Sequence, residues 1–159
     1  MEVNLDLIKH SLHNIRLLSL DFKEQVNNEE LEELKKIERR KRKSEYIDPY
    51  ENGFYNEVLN TQITMFNQIY FFTRQILHEL ARDREENDDD LDIDKEKAKL
   101  VLKSLDKKEI ELIKVIYDFE FKAGRLDPDF EDMKFLNKLK KVFPRMERLM
   151  DTAIDIPSA

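Results

Sequence analysis

FYNEVLNTQITMFNQIYFFTRQILHELA, residues 54–81, decides the fold. Its apolar residues Tyr55, Val58, Leu59, Ile63, Phe66, Ile69, Tyr70, Phe72, Ile76, Leu77 and Leu80 follow the three-and-four spacing of one helix face. This is the longest apolar pattern in the chain, and it predicts a long central helix. Asp48-Pro49-Tyr50-Glu51 supplies the start: a capping carboxylate, a proline where the missing amide costs nothing, and a glutamate that reaches back. Gly53 leaves the exact first residue open. The aromatic residues Phe54, Tyr55, Phe66, Tyr70, Phe71 and Phe72 suit a core better than a ligand box. Residues 69–72 are apolar at consecutive positions and point around the whole helix, so either burial on all sides or a protein interface follows. Central burial is the expectation; an exposed Phe71 or Phe72 would mark a contact surface instead.

Upstream, Leu5, Ile8, Leu12, Ile15, Phe22 and Val26 repeat at three and four with Ser19 filling the gap, and Leu7, Leu18 and Leu20 widen the face. A face this broad fits packing in a bundle better than a two-stranded seam. Asn27 with Glu30 resembles a capping box opening a second helix, whose apolar positions are only Leu31, Leu34 and Ile37. Downstream, the acidic stretch 83–94 reads as a solvated loop because its like charges repel. A helix resumes near Lys95, pauses at Ser104-Leu105 and restarts at Asp106 with Glu109 completing a capping box. Ile110, Ile113, Ile116, Tyr117 and Phe119 form its inner face, and Gly124 is placed to end it. Asp127-Pro128-Asp129 opens a last helix with Leu136, Leu139, Phe143, Met146, Met150 and Ala153 in register. Pro144 should bend or divide that helix, and Ile154–Ala159 should fray. The expected fold is therefore all-α, a bundle of about five helices in a single domain over residues 1–159.

Composition agrees with this reading. Two glycines and four prolines in 159 residues are too few for the turns of a sandwich or barrel. Charged and hydrophobic residues each make up 40% of the chain, which suits helices with one wet face. There is no cysteine, hence no disulfide, thiolate metal site or cysteine nucleophile. No apolar run nears the ~20 residues that span a bilayer, and the first residues lack a signal-peptide pattern. The expected location is the cytoplasm, and no cofactor is called for.

The formal charge of −7 hides an uneven distribution. Lys35, Lys36, Arg39, Arg40, Lys41, Arg42 and Lys43 form a basic helix end that could contact several phosphates or an acidic protein face, or simply be solvated. No aromatic residue lies inside the run to stack on bases. In the acidic stretch, a calcium loop counted from Asp88 fails, with Ile93 in the glycine place and Lys99 in the glutamate place. Glu29, Glu30, Glu32 and Glu33 lack the second carboxylate segment that a magnesium-dependent pyrophosphatase needs. Arg74 and His78 share a helix face in a spacing similar to the Arg and His pair of HEPN-type RNases, with an intervening segment one residue shorter than that family's pattern.

From Glu29 to Val58 the chain resembles archaeal GINS subunits, helical accessory factors of a replicative helicase. The residues concerned are Glu30-Leu31-Glu32-Glu33-Leu34, Glu38-Arg39 and Phe54-Tyr55-Asn56-Glu57-Val58, with Leu105-Asp106-Lys107-Lys108-Glu109 similar to the start of that family's later helix. The chain departs from the pattern in having a helix before the match, a shorter segment between Phe54 and Arg82, and no small β-domain after it. The resemblance implies assembly with other subunits and no catalysis. The residues themselves lead to the same class: a non-enzymatic adaptor, inhibitor or small subunit that binds another macromolecule through a charged helical surface, with homodimerisation through the first or last helix a corollary. Nucleic-acid binding through residues 35–43 and a HEPN-like RNase using Arg74 and His78 are the alternatives.

Overall fold

The structure, a computed structural model, describes residues 3–25, 28–82, 92–123 and 133–157. It is all-α. The described residues form six helices: α1 (Leu5–Gln25), α2 (Asn28–Arg42), α3 (Pro49–Leu80), α4 (Lys95–Ser104), α5 (Lys107–Ala123) and α6 (Met133–Ile154). The count exceeds five because the pause at Ser104-Leu105 is a full break. Leu105 is extended there and buries its side chain, and Asp106 and Glu109 cap the new helix reciprocally, each backbone amide donating to the other's carboxylate at 3.1 and 2.9 Å.

Packing runs in sequence from α2 onto α3, α3 onto α1, α1 onto α6 and α6 onto α5. The predicted start of α3 holds: Asp48 accepts from the Glu51 amide at 2.8 Å, and Pro49 occupies the first turn. Gly53 lies inside the helix. The buried residues of α3 (Val58, Gln62, Ile63, Met65, Phe66, Ile69, Thr73, Ile76, Leu77, Glu79 and Leu80) cover more than half its circumference at 3.6 residues per turn. That breadth lets one helix wall several neighbours. Phe66 and Tyr70 meet Phe119 of α5 at ring-centroid distances of 6.2 and 6.5 Å, so these two aromatics belong to the core.

On α1 the buried residues are Ile8, Ser11, Leu12, Ile15, Ser19 and Phe22. Ser19 fills the gap in the apolar stripe because its hydroxyl donates to the Ile15 carbonyl at 2.7 Å and leaves no unpaired donor. α1 runs antiparallel to α3. Its N-terminus is tied to the far end of that helix by the Asn4 amide, which donates to the Glu79 carboxylate at 2.6 Å, while Asn4 caps Leu7.

Two chain ends differ from expectation. α6 continues through Pro144 without dividing; Pro144 is exposed, and Met146, Leu149, Met150 and Ala153 beyond it are buried, so packing outweighs the lost amide bond. The fraying expected from Ile154 is absent as far as Ile156: the amides of Asp155 and Ile156 bond back to Thr152 and Ala153, and the Ile156 side chain is buried. The caps expected at Asn27, Gly124 and Asp127, and residues 158–159, lie outside the described residues.

The base of the acidic stretch is structured. The Arg82 amide donates to the Asp92 carbonyl at 2.7 Å, the Asp94 amide to the Leu80 carbonyl at 2.9 Å, and Ala81 pairs with Ile93 in an antiparallel bridge. Asp94 then caps α4, and the buried Lys97 ammonium donates to the Ala81 carbonyl at 2.8 Å. The solvated loop predicted over 83–94 is therefore corrected at Asp92–Asp94, which are held by backbone hydrogen bonds and a helix cap; residues 83–91 lie outside the described residues.

Candidate functional site

Two surfaces concern function, and the basic helix end is the first. In α2 the buried residues Leu34 and Ile37 point toward α3, and at 100° per residue Lys36, Arg39 and Lys43 fall on the opposite side. Arg40, Lys41 and Arg42 are used within the molecule. Arg40 pairs with Glu51 of α3, Arg42 with Glu38 at 3.0 Å, and the Lys41 ammonium lies 4.0 Å from the centre of the Tyr55 ring. Burial raises the Tyr55 hydroxyl above its ordinary pKa, the Glu38 carboxylate adds to the rise, and Arg42 opposes it. Lys35 lies 3.8 Å from Glu32. Lys36, Arg39 and Lys43 make no ion pair or ring contact among the described residues, so three of the seven cations, with the exposed Lys35 beside Glu32 as a fourth, face outward.

The end of α2 is built without the usual glycine. Ser44 takes the left-handed conformation, φ 56°, while its amide bonds the Lys41 carbonyl at 3.1 Å and the Glu45 amide bonds the Arg40 carbonyl at 2.9 Å. This double closure satisfies the last carbonyls of the helix. The connection it starts carries Tyr46, and Tyr50 follows in the first turn of α3; they are 81% and 86% exposed and come next in the chain after the basic end. Reading the run alone missed them because they follow it.

The second surface is a groove of about 790 Å³ between α1 and α3, lined by Asn14, Leu17, Leu18 and Asp21 from α1 and Thr64, Asn67, Gln68, Phe71 and Phe72 from α3. Leu17 is 47% and Phe71 56% exposed. Phe71 and Phe72 meet edge to face, centroids 5.3 Å apart. The expectation of burial on all sides of residues 69–72 is thus corrected: Ile69 is buried, Tyr70 and Phe72 half-buried, and Phe71 faces solvent, because α1 covers only one flank of α3 here. A sequence signal for the groove does exist. From Val58 to Thr73 no residue is charged, in a chain that is 40% charged overall, so even the outward positions of α3 are amides and hydroxyls. The contribution of Leu17 has no such signal, since only the packing of α1 brings it to the groove that Phe71 also lines.

Arg74 and His78 are both half-buried on α3, and neither lines the groove or the two smaller cavities described next. One of these, of about 330 Å³, lies between α5 and α6 and is lined by Glu111, Glu147, Arg148 and Asp155 among others. The other, of about 210 Å³, lies where α4 and α5 meet the end of α3 and is apolar apart from Lys114 and the Tyr117 hydroxyl. Among the described residues no three His, Asp or Glu side chains converge to hold a metal ion, and no helix is long and apolar enough to cross a membrane. In comparisons with known proteins, no family model, no curated protein and no solved structure matches this chain.

Proposed function

We propose that this chain is a non-enzymatic helical interaction protein of the cytoplasm, an adaptor, inhibitor or small subunit, whose contact surface is the groove between α1 and α3. The observation that carries this reading is the joint exposure of Leu17 and Phe71 on one groove whose other walls are Leu18 and Phe72. Single exposed apolar residues are ordinary on a protein surface, but apolar residues contiguous in a concave, polar-rimmed patch are characteristic of a binding face. The resemblance of Glu29–Val58 to GINS subunits fits the same reading, because that family acts by assembly. A photo-crosslinking residue placed at Phe71 should give adducts of discrete mass in the native host cell. The same residue at the exposed Lys103 of α4 should not. Equal labelling from both positions would overturn the reading.

One observation favours a second reading, nucleic-acid binding. The stripe of Lys36, Arg39 and Lys43 is followed by two of the most exposed aromatics of the described residues, Tyr46 and Tyr50. Cations along a backbone with aromatic platforms beside them are what single strands are bound by. Neutralising the three cations to glutamine should lower the salt slope of single-strand affinity by about 2, at roughly 0.7 per phosphate contact. No binding by the wild type at low salt would remove this reading.

A further inference from the structure

We infer that the occupant of the α1–α3 groove is a second copy of this chain, packed across a two-fold axis through the groove. This rests on the groove being a contact surface and adds what fills it.

The charge of the groove favours a like partner. Of the nine residues that line the groove, Asp21 alone is charged. The polar positions are Asn14, Thr64, Asn67 and Gln68; the Asn14 amide nitrogen donates to the His10 carbonyl at 2.9 Å, and the amides of Asn67 and Gln68 and the Thr64 hydroxyl can both donate and accept hydrogen bonds. A two-fold contact sets a patch against itself. A rim of lysines or glutamates would meet its own charge there, whereas a rim of amides meets the donors and acceptors it needs. A partner recognised by opposite charge would require a rim of one sign, which this groove lacks although charged residues are plentiful elsewhere in the chain.

The direction of the groove favours it too. Because α1 and α3 are antiparallel, Asp21 and Thr64 lie toward one end of the groove and Asn14 and Phe72 toward the other. The lining segments, Asn14 to Asp21 and Thr64 to Phe72, are about 10 and about 12 Å long at 1.5 Å per residue. A perpendicular two-fold axis near Gln68, midway along the α3 segment, reverses the groove on itself. Each Asp21 then lies over the far end of the other copy's groove, and the two carboxylates stand at opposite ends of the interface. The same operation sets Phe71 of one copy against the Leu17 and Leu18 wall of the other, covering the two apolar side chains that the single chain leaves most exposed in the groove.

The test is the mass of the purified full chain by sedimentation equilibrium and light scattering, from low micromolar to near millimolar concentration. The wild type should pass from one to two copies. Leu17→Arg and Phe71→Arg should each weaken association about tenfold or more, as loss of a central apolar anchor does, with helical content by circular dichroism unchanged. Gln68→Glu and Gln68→Lys, at an exposed position, keep the question open to test even where an arginine variant fails to fold. Each alone should be monomeric where the wild type is dimeric, and mixing the two should restore dimers of mixed mass by native mass spectrometry. A wild type that stays monomeric throughout overturns the inference, as does a dimer indifferent to Leu17, Gln68 and Phe71. If the chain is monomeric but crosslinks from position 71 carry a different added mass, the groove stands as a contact surface and only its self-pairing fails.

Discussion

The basic end of α2 and the groove between α1 and α3 make opposite uses of residues that the sequence advertises unequally. Residues 35–43 are conspicuous in the chain, yet Arg40, Lys41 and Arg42 are engaged by Glu51, Tyr55 and Glu38, leaving Lys36, Arg39 and Lys43 to face outward. The groove has no conspicuous motif, yet Leu17 and Phe71 remain half-exposed in it. A run of charge measures local composition, whereas availability depends on what the next helix brings within reach. Here α3 brings an acid and an aromatic ring to α2, and α1 brings no cover for Phe71.

The comparison assumes that both surfaces share one wall, α3. Ile76 is fully buried in that wall, and Ile76→Ala should cost about 3 kcal/mol, the loss of transfer energy plus the cavity left behind. In urea unfolding, fluorescence probes placed near Tyr55 and near Phe71 should shift together. Two separated transitions would break the comparison, since the surfaces would then belong to separately stable units.

The way α2 ends sharpens it. Ser44 holds a backbone conformation that costs an L-residue about 1 kcal/mol, and its side chain is exposed. Ser44→Gly should therefore stabilise the protein by about 0.5 kcal/mol, after allowance for the freer unfolded chain, as measured by the urea midpoint. A loss of stability would mean that the serine side chain itself holds the connection.

A smaller effect separates the internal cations from the free ones. Arg40→Gln strands Glu51 at a partly buried pair and should cost about 0.5 kcal/mol, while Arg39→Gln should leave stability unchanged and reduce only polyanion binding. Equal stability changes in the two variants would show that the run is uniform and the division between its residues wrong.

The smallest effect concerns the capping box of α5. Burial raises the Glu109 carboxyl above its ordinary pKa, the Asp106 carboxylate adds to the rise, and the hydrogen bond from the Asp106 amide opposes it. The folded state therefore holds this proton more tightly than the unfolded chain, and stability falls as pH rises through the carboxylate range and beyond, up to the raised value. Glu109→Gln should remove that decline. The melting temperatures of variant and wild type should draw apart between acid and neutral pH, slightly, since Glu109 is largely solvated. A gap that narrows toward neutral pH would mean that the ionised form is the one the fold prefers.

The sequence by itself determined the helices and several of their ends. The three-and-four spacing of α1 and α3 follows from the geometry of one helix, and the caps at Asp48 and Asp106 are satisfied within three residues of chain, so local reading suffices. The uncharged stretch from Val58 to Thr73 is a signal in the sequence that the apolar spacing alone did not use, and the structure shows it to be the α3 half of the groove. Tertiary structure alone decided the rest. The left-handed turn at Ser44, the passage of α6 through Pro144, the pairing of Arg40 with Glu51 and the placing of Leu17 and Phe71 on one groove depend on residues distant in sequence, or on packing that outweighs a local preference. Local rules set what each segment can become; which of its side chains stay exposed is set by the neighbours that packing supplies.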